Sequence, residues 1–443
     1  MTKEQEKIPA SKVARATRIV QTGVKIGVNY AKHYAQKALK QNVTQEDLDH
    51  NNATDIFKTL SELKGSALKV AQMLSMERNL MPSAYTDVFA LAQHNAPPLS
   101  GPLIVKTFLT YAGKTPQQLF DLFDVNAAYA ASIGQVHKAT KNGQKLAVKI
   151  QYPGVADSVK SDLKLVRPFA IKLLRMNEAQ SAPFFEEVEE KLLEEANYEL
   201  ELQNSVYLSQ QCQHLPNLYF AQYFPDLSAK RYLTMTWLNG TPLNEWLAKN
   251  PTQQQRNQIG QAMWDFYAHQ VHKLHFTHSD PHPGNFLVDE DNRLGVLDFG
   301  CVKKIPDDFY DAYFAFLSPE VLLQPQEFEK HCLALNLYHA DDTPEERNLF
   351  EPVFVKLVQL LSKPFETEFF NFGHKPYFEE LYAFADHLYQ RPEIRYQQKI
   401  RGTKHTLYLN RTFFGLYRML HDLQATIHTH LPIAWAGRKP WLL

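Results

Sequence analysis

Apolar residues recur at helical spacing along most of this chain and alternate with polar ones in only a few places. From about Thr54 to Ala92 the period is helical, with Gly65 and Pro82 as breakers. The stretch APPLSGP at 96–102 reads as a loop, and 103–122 as one or two further helices. Residues 125–151 form a β-rich zone, and helices are expected from 157 to about 212. Strand character returns at 218–238. From Thr241 onward the pattern is mostly helical, interrupted by a short strand pair near 285–298. The tail, 307–443, carries Phe, Tyr and Leu at helical spacing, and no internal repeat or low-complexity tract is present. A small β zone ahead of a large helical one predicts an α+β chain of two unequal lobes, with a ligand expected in the cleft between them.

Composition narrows this picture little. The 443 residues are 44% hydrophobic and 21% charged, with 47 Lys+Arg against 48 Asp+Glu. That excludes a disordered tail, a collagen and a basic nucleic-acid coat, so nucleic acid is not an expected partner. Only 17 glycines are present, so a phosphate loop has to be built largely without them. Cys212, Cys301 and Cys332 are odd in number and widely spaced, which suits a reducing compartment rather than a disulfide framework. The opening MTKEQEKIPA lacks the apolar core of a secretory signal, and no run of about 18 apolar residues exists. A cytoplasmic protein without a transmembrane helix is expected.

The near-neutral total hides an asymmetry. Residues 1–40 hold nine Lys/Arg and only Glu4 and Glu6, so they carry +7 and the remainder −8. As a helix, Val13, Val20, Val24, Gly27 and Ala31 share one face, and Lys12, Arg15, Arg18, Lys25, Lys32 and Lys40 the other. Two readings stand: a peripheral helix on an anionic membrane, or a surface helix packing its Val/Ala face on the protein body.

The strongest chemical signal is His278-Ser279-Asp280-Pro281-His282-Pro283-Gly284-Asn285, followed by Asp298-Phe299-Gly300. A kinase catalytic loop separates its base Asp from a metal-binding Asn by the same interval, and a DFG Asp follows. One carboxylate receives the proton of an attacking hydroxyl, while an amide and a carboxylate oxygen hold Mg²⁺. Leu146-Ala147-Val148-Lys149-Ile150 is the second element. In a strand Leu146, Val148 and Ile150 face one way, and Ala147 and Lys149 the other. The preceding Asn142-Gly143 is a hairpin signal. Third, a helix over Phe185–Leu208 sets Val188, Leu192, Leu202 and Val206 on one stripe with Glu195 in the middle. A carboxylate there needs a partner, and Lys149 is the expected one, with Glu199 as rival. Fourth, the Ala-rich loop from Tyr129 to His137 (Ala130, Ala131, Ser132, Ile133, Gly134, Gln135, Val136) stands where a kinase carries its Gly-rich loop. Two decoys fail. Gly113-Lys114-Thr115 lacks the first glycine of a P-loop, since Phe108 stands there. The ladder His269, His272, His275, His278 drifts around a helix and lacks the zinc spacing.

Together these residues resemble the UbiB/AarF family of atypical, protein-kinase-like proteins. The marks are SIGQVH at 132–137, AVKIQYPG at 147–154, Glu195 with Tyr198, the HSDPHPGN loop, the DFG, and the tail RTFFGLYRMLHDLQA at 411–425. The resemblance spans about 55–430 and implies a bilobal kinase-like fold with an N-terminal helical extension. With the charge asymmetry it divides the chain into a basic leader and linker at 1–52, the extension at 53–115, an N-lobe at 116–238 and a C-lobe at 239–443. It also implies a KxGQ element, matched by Lys69-Val70-Ala71-Gln72, which would pack across the cleft and regulate access to it. Ala71 departs from the family's Gly.

The expected activity is therefore an Mg²⁺- and ATP/ADP-binding ATPase or phosphotransferase acting on a small-molecule or lipid acceptor. Asp280, Lys149, Glu195 and Lys69 are the expected catalytic residues, and Asn285 and Asp298 the metal ligands. Ala147 and the segment Met235, Thr236, Trp237, Leu238 would frame the adenine. The resemblance further implies a link to isoprenoid quinone biosynthesis, with quinone-biosynthesis proteins or an anionic membrane as partners. The alternatives are a nucleotide-regulated binding module without phosphoryl transfer, and a phosphotransferase of the aminoglycoside or choline kinase type.

Overall fold

The computed structural model describes residues 12–38, 45–63, 99–131, 133–174, 178–395, 399 and 401–429. Lys69, Ala71, Gln72 and Ser132 lie outside these residues. The described chain forms two compact units. One comprises 1–202 with 222–237, and the other 203–221 with 238–443.

In the first unit, helix α1 (Lys12–Ala38) packs against α2 (Gln45–Leu63). It does so through its polar side. Lys25 pairs with Asp55, and Asn29 Nδ2 donates to Asn52 Oδ1 and Asp55 Oδ2, both at 3.0 Å. Val24, Gly27, Val28 and Ala31 are left exposed. Val24, Gly27 and Ala31 thus do not pack on the body as one of the two readings expected: an ion pair and amide hydrogen bonds to α2 dock the opposite side.

Helix α3 (Gly101–Ala112) leads into an antiparallel sheet of order β1-β2-β3-β5. Its strands are β1 (Leu122–Ala131), β2 (Gly134–Lys141), β3 (Gln144–Gln151) and β5 (Tyr232–Thr236). Asn142 and Gly143 both take positive φ, 49° and 74°, and make the tight β2–β3 turn that Asn-Gly favours. Alternation in β3 is as read: Leu146, Val148 and Ile150 are fully buried. Helices α4 (Val155–Leu174), α5 (Glu178–Glu195) and α6 (Tyr198–Cys212) follow.

The second unit is built on α7 (Gln253–His269), which runs on into a π-helical turn at Gln270–Leu274. A small sheet of order β4-β9-β8-β6 joins β4 (Leu218–Phe220), β6 (Thr241–Pro242), β8 (Phe286–Val288) and β9 (Leu294–Val296). Strands β7 (Phe276–His278) and β10 (Val302–Lys304) make an antiparallel ribbon. Helix α8 (Lys404–Asp422) buries Leu409, Phe413, Leu416, Tyr417 and Leu420. Strand β12 (Thr426–His428) closes on β11 (Phe369–Asn371). The three cysteines are free and buried. Among the described residues no helix is long and apolar enough to cross a membrane.

Candidate functional site

The first group of candidate residues gathers on β3. Lys149 Nζ lies 2.6 Å from Glu201 Oε1 and 5.1 Å from the centroid of the Tyr198 ring. Both partners are buried, with side chains 9% and 2% exposed, so the pair sits where charge–charge attraction is little screened. The carboxylate that stands against Lys149 is that of Glu201, where the sequence suggested Glu195 with Glu199 as rival. The reason is a break in the helix expected to be continuous. α5 ends at Glu195 and α6 begins at Tyr198. The Ala196 carbonyl, released from the helix, accepts from Gln151 Nε2 at 2.9 Å and Arg231 at 3.1 Å. Asn197 Oδ1 then caps α6 by accepting from Leu200 N at 3.1 Å. The break resets the helical phase. Tyr198, Glu201, Ser205 and Leu208 turn inward, while Leu202 and Val206 are only half-buried. Asn197 followed by Glu199 and Glu201 is a helix-start signature, and it is the signal that could have located the break.

The Ala-rich connection is tight. Ala131 pairs with Gly134, so only two residues link β1 to β2. Ile133 is buried and its carbonyl accepts from Tyr152 N at 2.9 Å. A Cβ on Gly134 would stand 2.3 Å from the Ile150 carbonyl oxygen, so close approach requires this glycine. Gln135 turns its side chain inward. Its side chain is buried, its Oε1 accepts from Leu99 N at 2.8 Å, and its Nε2 stands 2.7 Å from His137 Nε2. It braces the entry to α3 and does not present its amide to a ligand. Burial also pushes the His137 pKa down, against the opposing pull of Asp124. Ala147 faces Met235 across β3 and β5, and Trp237 N donates to Lys145 O at 3.0 Å. The division between the units falls at Trp237 and Leu238.

The second group lies on the loop between β7 and β8. Asn285 Nδ2 donates to the Asp280 carbonyl at 2.9 Å, and its distance to Asp280 Oδ2 is 3.5 Å. The Pro-bounded turn holds them: His282 N donates to Asp280 O at 2.8 Å and Asn285 N to His282 O at 2.9 Å. Because the Asn285 amide nitrogen is engaged, its Oδ1 is the atom left to meet a cation. Asp298 Oδ1 accepts from Gly300 N at 2.7 Å, which uses one of the several lone pairs of that carboxylate. Both groups are half-buried hard oxygen donors, and that chemistry fits Mg²⁺.

His278 joins the two halves of this group. Its Nε2 donates to the Asp298 carbonyl at 2.7 Å, and its Nδ1 then accepts from Tyr267 O–H at 3.1 Å. Ser279 N donates to Cys301 O at 2.9 Å alongside. Phe299 is fully buried against Phe220, Phe266 and His278. Tyr267 is a positioning residue that sequence reading missed, since only the fold brings α7 to the loop. The histidine ladder resolves into separate tasks: His269 meets His214 edge to face, His272 meets Tyr310, and His275 meets Asp307.

Helix α8 supports the loop from below. A Cβ on Gly415 would lie 2.3 Å from Pro281 Cγ and 3.1 Å from its carbonyl oxygen. Gly415→Ala is therefore expected to lower stability by about 1–3 kcal/mol, although Ala is the better helix former. Gly27 has nothing within 4 Å of such a Cβ, and Gly27→Ala should gain up to about 1 kcal/mol. Urea midpoints of the two variants check the contrast, and equal shifts would contradict it.

A two-unit α+β chain with a paired strand lysine, an Asp–Asn loop and a DFG segment defines an atypical kinase-like protein. Residues 91–330, more than half of the chain, match the model of the ABC1 atypical kinase-like domain, and the chain belongs to that family. It is 25% identical to the probable serine/threonine-protein kinase abkA of Dictyostelium discoideum, over 96% of this chain and 79% of that one. It is 26% identical to the mitochondrial atypical kinase COQ8B of Danio rerio, covering 84% of this chain and 60% of that protein. The probable protein kinase UbiB of Cronobacter sakazakii is 29% identical over 54% of this chain and 45% of its own. Among solved structures, the Rv3197–erythromycin complex from Mycobacterium tuberculosis shares the fold. Its TM-score is 0.58 at 24% identity, covering 86% of this chain and 95% of that one.

Proposed function

We propose that this protein binds Mg–ATP and either hydrolyses it or passes its γ-phosphoryl group to a small-molecule or lipid acceptor. The observation that carries this reading is the Asp280–Asn285 hydrogen bond, which leaves the Asn285 amide oxygen and the Asp298 carboxylate as a pair of oxygen donors. Mg²⁺ bound there would neutralise charge on the β- and γ-phosphates. Lys149, held by Glu201, would neutralise phosphate oxygens from β3. Backbone N–H groups of the 130–136 connection would approach the phosphates, and Ala147 with Met235, Thr236, Trp237 and Leu238 would frame the base. Asp280 would take the proton of the attacking hydroxyl or water as the bond from γ-phosphorus to the ADP oxygen breaks. Lys69 and Gln72 would regulate access, as the family resemblance implies.

The exposed Val24, Val28 and Ala31 beside Lys32 favour a peripheral contact of α1 with an anionic membrane. The names of the COQ8B and UbiB relatives favour a role connected with quinone biosynthesis. A nucleotide-regulated binding module is the second reading, favoured by the inward-turned Ile133 and Gln135. Phosphate release, measured with phosphatidylcholine vesicles with and without phosphatidylglycerol, separates the two. Release by the wild type well above Asp280→Ala, and greater with the anionic lipid, is expected. Equal release by both proteins, with ATP still bound, would select the binding module.

A further inference from the structure

The β7–β10 ribbon carries the Asp280 loop at one end and a recess at the other. Phe276 pairs with Lys304 at the recess end, and His278 with Val302 at the loop end. The recess has a volume of about 740 Å³ and opens to solvent. That is the size range of sites for small organic molecules. None of the residues assigned to nucleotide or metal lines it.

Its lining is divided by chemistry. Lys273 and Lys304 supply two ammonium groups, and among the described residues neither enters an ion pair. Asp307 is the one lining carboxylate, and it is already engaged by His275 Nδ1 at 2.7 Å. His405 adds a further imidazole at the rim. The balance of fixed charge is positive. Leu274, Phe276 and Pro306 supply an apolar wall, so the recess is suited to more than a bare ion.

The backbone is irregular at the same place. α7 widens into the π-helical turn Gln270–Leu274, a form that occurs mostly as a short insertion at functional positions. His275, which ends it, takes the left-handed conformation at φ 53° and ψ 40°. A non-glycine residue held there is uncommon. It is secured by Ile305 N donating to its carbonyl at 2.7 Å and by stacking of its ring on Tyr310, 4.3 Å between centroids. This departure from regular helix aims His275 at Asp307 and sets Lys273 on the rim. His272, buried beneath, adds no charge at neutral pH, because burial, reinforced by His275, pulls its pKa down to about 3.

We propose that this recess is a binding site for a phosphate monoester with an apolar body. The two lysines would receive the phosphate dianion, and Leu274, Phe276 and Pro306 the carbon skeleton. A ligand so placed rests on the ribbon that leads in two residues to His278, and through it to the Asp298 carbonyl.

Phenyl phosphate is the probe, titrated calorimetrically into the full chain with Mg–ADP present. Saturable binding is expected for the wild type and for Asp298→Asn. In Lys273→Gln/Lys304→Gln it should weaken about tenfold or more, the scale of losing charge-assisted contacts. Both lysines are exposed, so that variant should keep the wild-type melting temperature, which is measured alongside. Equal binding by the wild type and the double variant would overturn the proposal, as would absence of binding to the wild type. Inorganic phosphate binding as tightly as phenyl phosphate would overturn the apolar half of it. Retention in Asp298→Asn keeps the outcome separate from that of the nucleotide reading.

Discussion

In Asp298→Asn, Mg–ATP is expected to lose its stabilising effect altogether. A ligand at about a hundred times its dissociation constant adds about 2.7 kcal/mol to the folded state, which reads as a melting shift of several degrees. Asp298 supplies the only full negative charge of the proposed oxygen-donor pair, since Asn285 offers a neutral amide oxygen. Replacing it with an amide removes that charge and keeps the shape. The Gly300 N–H bond to Oδ1 can be made by an asparagine oxygen, and the carbonyl bond to His278 does not involve the side chain. The variant therefore keeps both of these bonds, and its own melting temperature without nucleotide is the reference for each shift. Thermal melts with Mg–ATP, with ATP plus chelator and with neither are the measurement. A wild-type melting shift in Asp298→Asn would sink the metal assignment.

The second large effect is expected at Glu201. Its carboxylate and the Lys149 ammonium are both withdrawn from water. Glu201→Ala takes the carboxylate at 2.6 Å away from a buried ammonium, at a cost of about 3–5 kcal/mol. Replacing both partners with apolar residues, as in Lys149→Met/Glu201→Leu, should recover part of the loss, because neither charge of that pair then remains to be desolvated. The chemical-denaturation midpoints of the single and double variants form the test. A double-mutant cycle between Lys149 and Glu201 should give a coupling above about 1 kcal/mol, larger than that between Lys149 and Glu195. Additive effects at 149 and 201 would remove Glu201 from the role given to it here.

That substitution of Glu201 for Glu195 shows where the sequence stopped being legible. The kinase-like class, the β3 alternation, the Asn142–Gly143 turn and the Asp280–Asn285 interval are all local patterns. They are set by residues within one strand, one turn or one loop, and they can be read directly. The break between α5 and α6 is marked locally only by Asn197 and the acidic turn after it. It depends on Gln151 and Arg231, which reach the Ala196 carbonyl from 45 and 35 residues away. Treating Phe185–Leu208 as one helix carried the wrong phase past Ala196 and so kept Glu201 off the buried stripe. The inward turn of the Gln135 side chain was not legible for a similar reason, since its partner Leu99 N lies 36 residues earlier in the chain. In α1 the hydrophobic projection was sound as geometry. Which side docks was decided by Asn52 and Asp55 on the neighbouring helix, and no periodicity in α1 encodes them.

The packing of α8 and β12 bears on where this protein can be cut. The family match ends at residue 330, yet the chain beyond it is woven back into α7. Thr426 N and His428 N donate to Asn257 Oδ1 and Gln261 Oε1 at 2.9 and 2.8 Å. A Cβ on Gly260 would strike Ala425, and Gly415 abuts Pro281 beside the candidate base. A fragment trimmed to the recognisable segment would uncover one side of α7 and withdraw the support beneath Asp280. The stretch that the domain model covers is thus shorter than the stretch that packs around the candidate base, and a fragment cut to the one would lack part of the other.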